Sequence, residues 1–168
     1  MCTLSFREIE ALPTIVRFQK EDGTQINIFF GRTSSEVGFE VQHGQDVYSL
    51  GEIIGISDEE AGNAYRRYVA VSPEGLLEAL SHLAKLVKRY FVSGIQREFE
   101  FFSSLRRRRK RLAAAYAMDV MSRQLRPQAA DAFRKGQYGS AAKLYDQIKS
   151  TLSAAELKKL EYATKKSG

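Results

Sequence analysis

The chain has 168 residues, 26 Lys plus Arg against 20 Asp plus Glu, a net charge of +6, no Trp and a single Cys. That length suits one domain, or one domain with a small appendage, and at 43% hydrophobic the chain is too apolar to be disordered. The lone Cys2 excludes a disulfide framework and a cysteine-rich zinc site.

No run of about eighteen apolar residues occurs, and Glu8 and Glu10 interrupt the N-terminal stretch, so neither a transmembrane helix nor a signal peptide is expected. The default compartment is cytoplasmic. Charge is divided along the chain: residues 1–64 hold four basic and eleven acidic side chains, the remainder 22 basic and nine acidic. Such a division means that the halves dock on each other, or that the basic half seeks nucleic acid, anionic lipid or an acidic protein.

The first half has the period of a sheet. Over 14–20, Val16 and Phe18 alternate with Arg17 and Gln19, the pattern of a half-buried strand. Ile26, Ile28 and Phe30 repeat it, and Asp22-Gly23 reads as the hairpin turn between the two runs. Val37, Phe39 and Val41 point inward on a third strand, with Glu40 and Gln42 outward; the turn His43-Gly44-Gln45-Asp46 leads to a short strand at 47–49. One face of this meander is buried, and the other is wet or covered by a partner.

Residues 50–56 are apolar but broken by Gly51 and Gly55, which suits a loop or one helical turn. Ser57 and Glu60 read as a capping box opening a short helix towards Tyr65, and 68–71 as an apolar, central strand. Ser72 as N-cap with Pro73 at the first helical position starts the next helix. Leu76, Leu80, Leu83, Val87 and Tyr90, flanked by Leu77, Ala84 and Phe91, give it an apolar stripe that should cover the sheet.

Gly94 interrupts this pattern and a long helix follows over about 96–125, with Phe99, Phe102 and Leu105 continuing an internal stripe. Within it lies the basic block 106–111. Counted from Leu105, Arg106, Arg107, Lys110 and Arg111 stand at roughly 100°, 200°, 140° and 240°, away from the stripe, while Leu112 returns to within about 20° of it. Arg108 and Arg109 flank the stripe and would lay their stems on the core. Pro127 should end the helix, followed by short helices over 129–133, 141–148 and 154–163, the last opened by a Ser153/Glu156 capping box.

In segment 129–148, the run AADAFRKGQYGSAAKLYDQI with Ala129, Phe133, Gly136, Tyr138, Ala141, Tyr145 and Ile148 resembles the middle and second helix of a tetratricopeptide repeat. The resemblance implies a helical hairpin in which small Ala141 admits close approach and Tyr138 and Tyr145 fill the space between helices. The large aromatic of the first helix and the proline after the second are missing. One repeat also lacks the stacked neighbours that form a peptide groove.

Catalytic signatures are sparse. His43 with Asp46 could be an acid/base pair or two metal ligands, but no third ligand or nucleophile motif accompanies them. His82 reads as a surface or satisfied histidine, and Cys2 as an ordinary thiol. The stretch 31–35 lacks the glycine spacing and lysine of a phosphate loop, and Asp58, Glu59 and Glu60 are explained by the helix dipole. Glu36, Glu40, Asp46 and Glu52 resemble a nuclease carboxylate set without its lysine. The expectation is therefore no enzyme, no cofactor and no metal.

Three binding readings follow. Arg106, Arg107, Lys110 and Arg111, extended by Lys85, Lys88, Arg89 and Arg97, could contact phosphates without reading sequence. The same block with Phe99, Phe101 and Phe102 could lie at a membrane surface, although folded segments bound it on both sides. The reading adopted is a non-catalytic protein–protein interaction module, similar in size and composition to bacterial immunity or antitoxin proteins, with the acidic half facing a basic partner; nonspecific nucleic-acid binding is the alternative. The expected fold is α+β: an N-terminal antiparallel sheet covered by a helix (1–93), a long basic helix (94–126) and a C-terminal helical hairpin (127–168).

Overall fold

A computed structural model describes residues 5–167; Cys2 lies outside them. The fold is α+β. Strands β1 (Arg7–Leu12), β2 (Ile15–Gln19), β3 (Gln25–Phe30), β4 (Glu36–His43) and β5 (Asp46–Ser49) form an antiparallel meander in sequence order. Helices α1 (Leu50–Ser57) and α2 (Glu59–Ala64) follow, then β6 (Tyr68–Val69), α3 (Pro73–Leu86), α4 (Glu98–Arg134), α5 (Tyr138–Gln147) and α6 (Ala154–Ser167). The chain divides into two compact units, Met1–Arg109 and Lys110–Gly168. The division falls inside one continuous helix.

In the first unit the alternation of β2, β3 and β4 puts Ile26, Val37, Phe39 and Val41 into the core. The Asp22-Gly23 turn forms as expected, with Gly23 at φ 85° and its N–H donating to the Lys20 carbonyl at 3.0 Å. Strand β1 was not expected. It is a mostly exposed edge with a register shift between Glu8 and Glu10, so it carries no hydrophobic alternation to read.

Residues 50–57 are an eight-residue helix, more than the loop or single helical turn expected. Ser49 and Glu52 cap each other's backbone N–H groups, and both glycines are needed for contact: a Cβ on Gly62 of α2 would stand 2.5 Å from the backbone of Gly55 in α1. Asp58, not Ser57, caps α2, accepting from the Ala61 N–H at 2.9 Å. The stretch 68–71 is not a central strand. Only Tyr68 and Val69 pair, with Val37 and Glu36 of β4, and Val71 is 88% exposed.

Helix α3 starts as expected, the Ser72 hydroxyl accepting from the Gly75 N–H at 3.1 Å. Beyond Leu86 the helix widens to a π-helical segment, Val87–Val92. The wider turn shifts the stripe so that Phe91 takes the core position, 1% exposed, against Phe6, Phe39 and Phe101. Leu77, expected to flank the stripe, is 68% exposed.

In the second unit, α4 runs through Pro127 instead of ending there, and absorbs the separate helix expected at 129–133. The proline forfeits one backbone bond but is exposed, which leaves the freed carbonyl to water, while Ala129 and Ala132 beyond it are buried. Gly136, at φ 73°, turns the chain into α5. Ala129, Ala132, Ala141, Tyr145, Leu160 and Ala163 form the core, with Phe133, Tyr138 and Tyr162 packed edge to face or tilted at 5.4–5.9 Å. The Ser153/Glu156 capping box opens α6, and the Ser153 backbone N–H holds the Glu156 carboxyl below its ordinary value. Tyr145 is fully buried, and its hydroxyl has no hydrogen-bond partner among the described residues.

Candidate interaction surfaces

The first turns of α4 are anchored by their apolar residues. Phe101, Phe102 and Leu105 are buried, whereas Phe99, expected in the same stripe, is 82% exposed. The Phe102 ring stacks on His43 at 3.8 Å and 8°, with Tyr48 at 6.0 Å. The His43 ring is engaged elsewhere than with Asp46, the pairing weighed from the sequence: its Nδ1 lies 2.9 Å from the Thr24 hydroxyl, and Thr24 is fully buried. Glu98 closes this cluster, accepting from Lys20 and, at 3.4 Å, from Thr24. The bonds to Glu98 and Asp22 hold the Lys20 ammonium above its ordinary value. Burial pushes the Asp22 carboxyl up, but the hydrogen bonds from Lys20 and the Thr24 N–H outweigh it and leave the carboxyl well below its usual range. These polar groups satisfy one another beneath an aromatic lid, an arrangement that locks α4 to the sheet.

Arg108 and Arg109 turn back onto the acidic half. Arg109 pairs with Glu52 at 2.8 Å and Asp46 at 3.4 Å, donates to the Val47 carbonyl at 2.6 Å, and lies over the Tyr48 ring at 4.5 Å. The guanidinium of Arg108 occupies the space a side chain on Gly55 would fill, and donates to Asn63 at 2.9 Å. Arg67 crosses the outer sheet face, over Phe29 at 5.1 Å, to pair with Glu36 and Glu40. Glu10 pairs with Arg17. The carboxylates Glu36, Glu40, Asp46 and Glu52 are thus split between two arginines. The first unit carries 14 basic and 15 acidic residues, the second 12 and five.

Tyr48 gives this docking a pH signature. It is 1% exposed; burial, then its hydrogen bond to Asp46 at 3.0 Å, push the phenol up to about 12. A raised folded value means the stabilisation is complete below the unfolded value, about 10, and is lost as pH rises through 12. Lys20 acts in the same direction. Unfolding followed from neutral to strongly alkaline pH should show a loss of about 2–3 kcal/mol that Tyr48→Phe lacks. Equal alkaline limbs in the two proteins would contradict this assignment.

Two kinds of surface residue stand out. The first is cationic: in the first unit Arg106 and Arg107 are exposed, as are Lys85, Lys88, Arg89 and Arg97, although Arg97 pairs with Glu100 at 3.4 Å; Lys110 and Arg111 are exposed in the second unit. The second is apolar. Helix α3 packs on β4 and β6, so Val16, Phe18, Ile28 and Phe30 on the inner face of β2 and β3 stay half-buried. Between Ile28 and the helical stretch from Leu80 to Val92 runs a groove of about 240 Å³, lined also by Leu83, Val87 and Lys88. Leu80 in this lining is 37% exposed, and Leu77, three residues earlier on α3, is 68% exposed. The alternation of β2 and β3 marks these residues as a core face; only the position of α3 shows that the face is incompletely covered.

His82 is exposed beside Tyr68 at 5.5 Å. Among the described residues no group of His, Cys, Asp and Glu is arranged to hold a metal ion, and no helix is long and apolar enough to cross a membrane. Comparison with protein families, with curated proteins and with solved structures finds no match.

Proposed function

We propose that this chain is a non-catalytic protein-interaction module whose docking surface is the groove between α3 and strand β3. The observation that carries this reading is the open inner face of the sheet. A two-layer α+β unit buries its apolar face under helices, and here α3 packs on β4 and β6 while Ile28 of β3 stays half-buried beside it. A partner helix or strand laid along Ile28, Leu80 and Val87 would complete the layer. The acidic half is less suited to a basic partner, because its carboxylates are largely paired within the unit.

Each leucine buried by a partner is worth about 1.5–3 kcal/mol, so Leu77→Asp with Leu80→Asp should weaken binding at least tenfold. Both side chains are exposed, and the melting temperature should stay within a few degrees of wild type. The test is purification of the tagged chain from its own cell under native conditions. A stoichiometric partner present with wild type and lost with the double variant is the expected result. No such partner, or one indifferent to the two substitutions, overturns the reading.

A further inference from the structure

We infer that the occupant of the groove beside α3 is an amphipathic α-helix of a partner, lying over β2 with a carboxylate on the flank that faces Lys88; this assignment rests on the docking role proposed for the groove. The rows of the sheet lose burial away from α3. Val37, Phe39 and Val41 of β4 are 0–3% exposed. Their ladder partners on β3 are Phe30, Ile28 and Ile26, of which only Ile26 is buried. One strand further, Val16 opposite Ile28 and Phe18 opposite Ile26 are both half-buried. Beyond these, β1 sets exposed Ala11 against Val16 and exposed Glu8 against Phe18. The apolar face therefore reaches one strand past the groove and ends at a polar rim.

Layer geometry then decides what fits. Strands lie about 4.8 Å apart and packed helices about 8–10 Å apart. An element beside α3, which packs on β4, thus stands two strands away, over β2 and its Val16 and Phe18. It covers a face of the sheet and not an edge: β2 and β3 each have a ladder partner on both sides. A strand or loop laid there would bury unpaired N–H and C=O groups, whereas a helix satisfies its own. The groove lining suits such an element, being aliphatic apart from Lys88. Charge sets the orientation of the helix about its axis. Lys88 is exposed and forms no ion pair among the described residues. The carboxylates of α3, Glu74 and Glu78, stand at roughly 180° and 220° from buried Leu83, whereas Leu80 and Ala84 of the lining stand at about 60° and 100°. The opposite rim carries Glu8. A helix with Asp or Glu on the α3 side of its apolar stripe, and Lys or Arg on the other, complements both rims.

The test pans two display libraries on the full chain: a three-helix scaffold with one helix face randomised, and linear peptides rich in β-branched residues. Groove binders should come from the helix library and carry Asp or Glu beside an apolar stripe. Their affinity, read by fluorescence anisotropy, should fall at least tenfold with Leu80→Asp and about fivefold with Lys88→Glu. Changing the binder's acidic residue to Lys should recover the second loss. Both substituted side chains are exposed, and circular dichroism of the variants should match wild type. Groove binders drawn only from the linear library, or helical ones indifferent to Lys88→Glu, overturn the inference and leave the docking role standing. A panel in which no binder is weakened by Leu80→Asp removes both. Light scattering of the chain alone covers the remaining occupant: a dimer dispersed by Leu80→Asp places a second copy in the groove and overturns the inference.

Discussion

Phe102→Ala should lower the stability of the first unit by about 3–5 kcal/mol, read as a shift in the denaturant midpoint. The ring is 1% exposed and touches three others: His43 face to face at 3.8 Å, Phe101 edge-on at 5.2 Å and Tyr48 at 6.0 Å. Its loss leaves a cavity between α4 and the sheet and also uncovers His43, whose bond to buried Thr24 then meets water. Phe102→Leu fills most of the volume and should recover more than half of the loss. If alanine costs less than about 1 kcal/mol, α4 is not anchored to the sheet through this residue.

Gly62→Ala should destabilise by about 2 kcal/mol or more, although alanine in a helix ordinarily gains about 1 kcal/mol over glycine. The added Cβ would lie 2.5 Å from the Gly55 Cα and N and 2.8 Å from the Gly51 carbonyl oxygen. These are backbone atoms of α1, so relief requires the two helices to part, and with them the seat of Arg108 on Gly55. Gly139→Ala in α5 is the control. Its nearest neighbour would be the Ser167 Cβ at 3.7 Å, ordinary contact, and the substitution should stabilise by up to about 1 kcal/mol. The contrast is checked by urea unfolding of the three proteins; a stabilised Gly62→Ala would show that α1 and α2 separate at little cost.

Much of the architecture is legible before folding is considered. Val16, Phe18, Ile26, Ile28 and Phe30 announce two strands by their period, and Asp22-Gly23 announces the turn between them. Ser72-Pro73 and Ser153/Glu156 mark helix starts that the structure reproduces. The outward direction of Arg106, Arg107, Lys110 and Arg111 follows from helical arithmetic, since each residue turns the helix by a fixed angle. The failures share one cause. Strand β1 is an exposed, bulged edge whose partner supplies its definition, and α1 contains two glycines that local propensity counts against a helix but that serve contacts with α2 and Arg108. Pro127 and Tyr68–Val71 failed likewise, through burial beyond the proline and exposure of apolar residues beside β4.

The sequence by itself determined the periods, the caps, the turns and which cations share a helix face, because each depends on residues within a turn or two of one another. Only the tertiary structure decided which charges pair within the first unit. Arg109 meets Glu52 from 57 positions away and Arg67 meets Glu36 from 31, pairings that no local spacing encodes. It also decided that α3 covers β4 and leaves β2 and β3 half-open, because the placement of a helix on a sheet follows from the packing of the whole layer rather than from the stripe on either element alone.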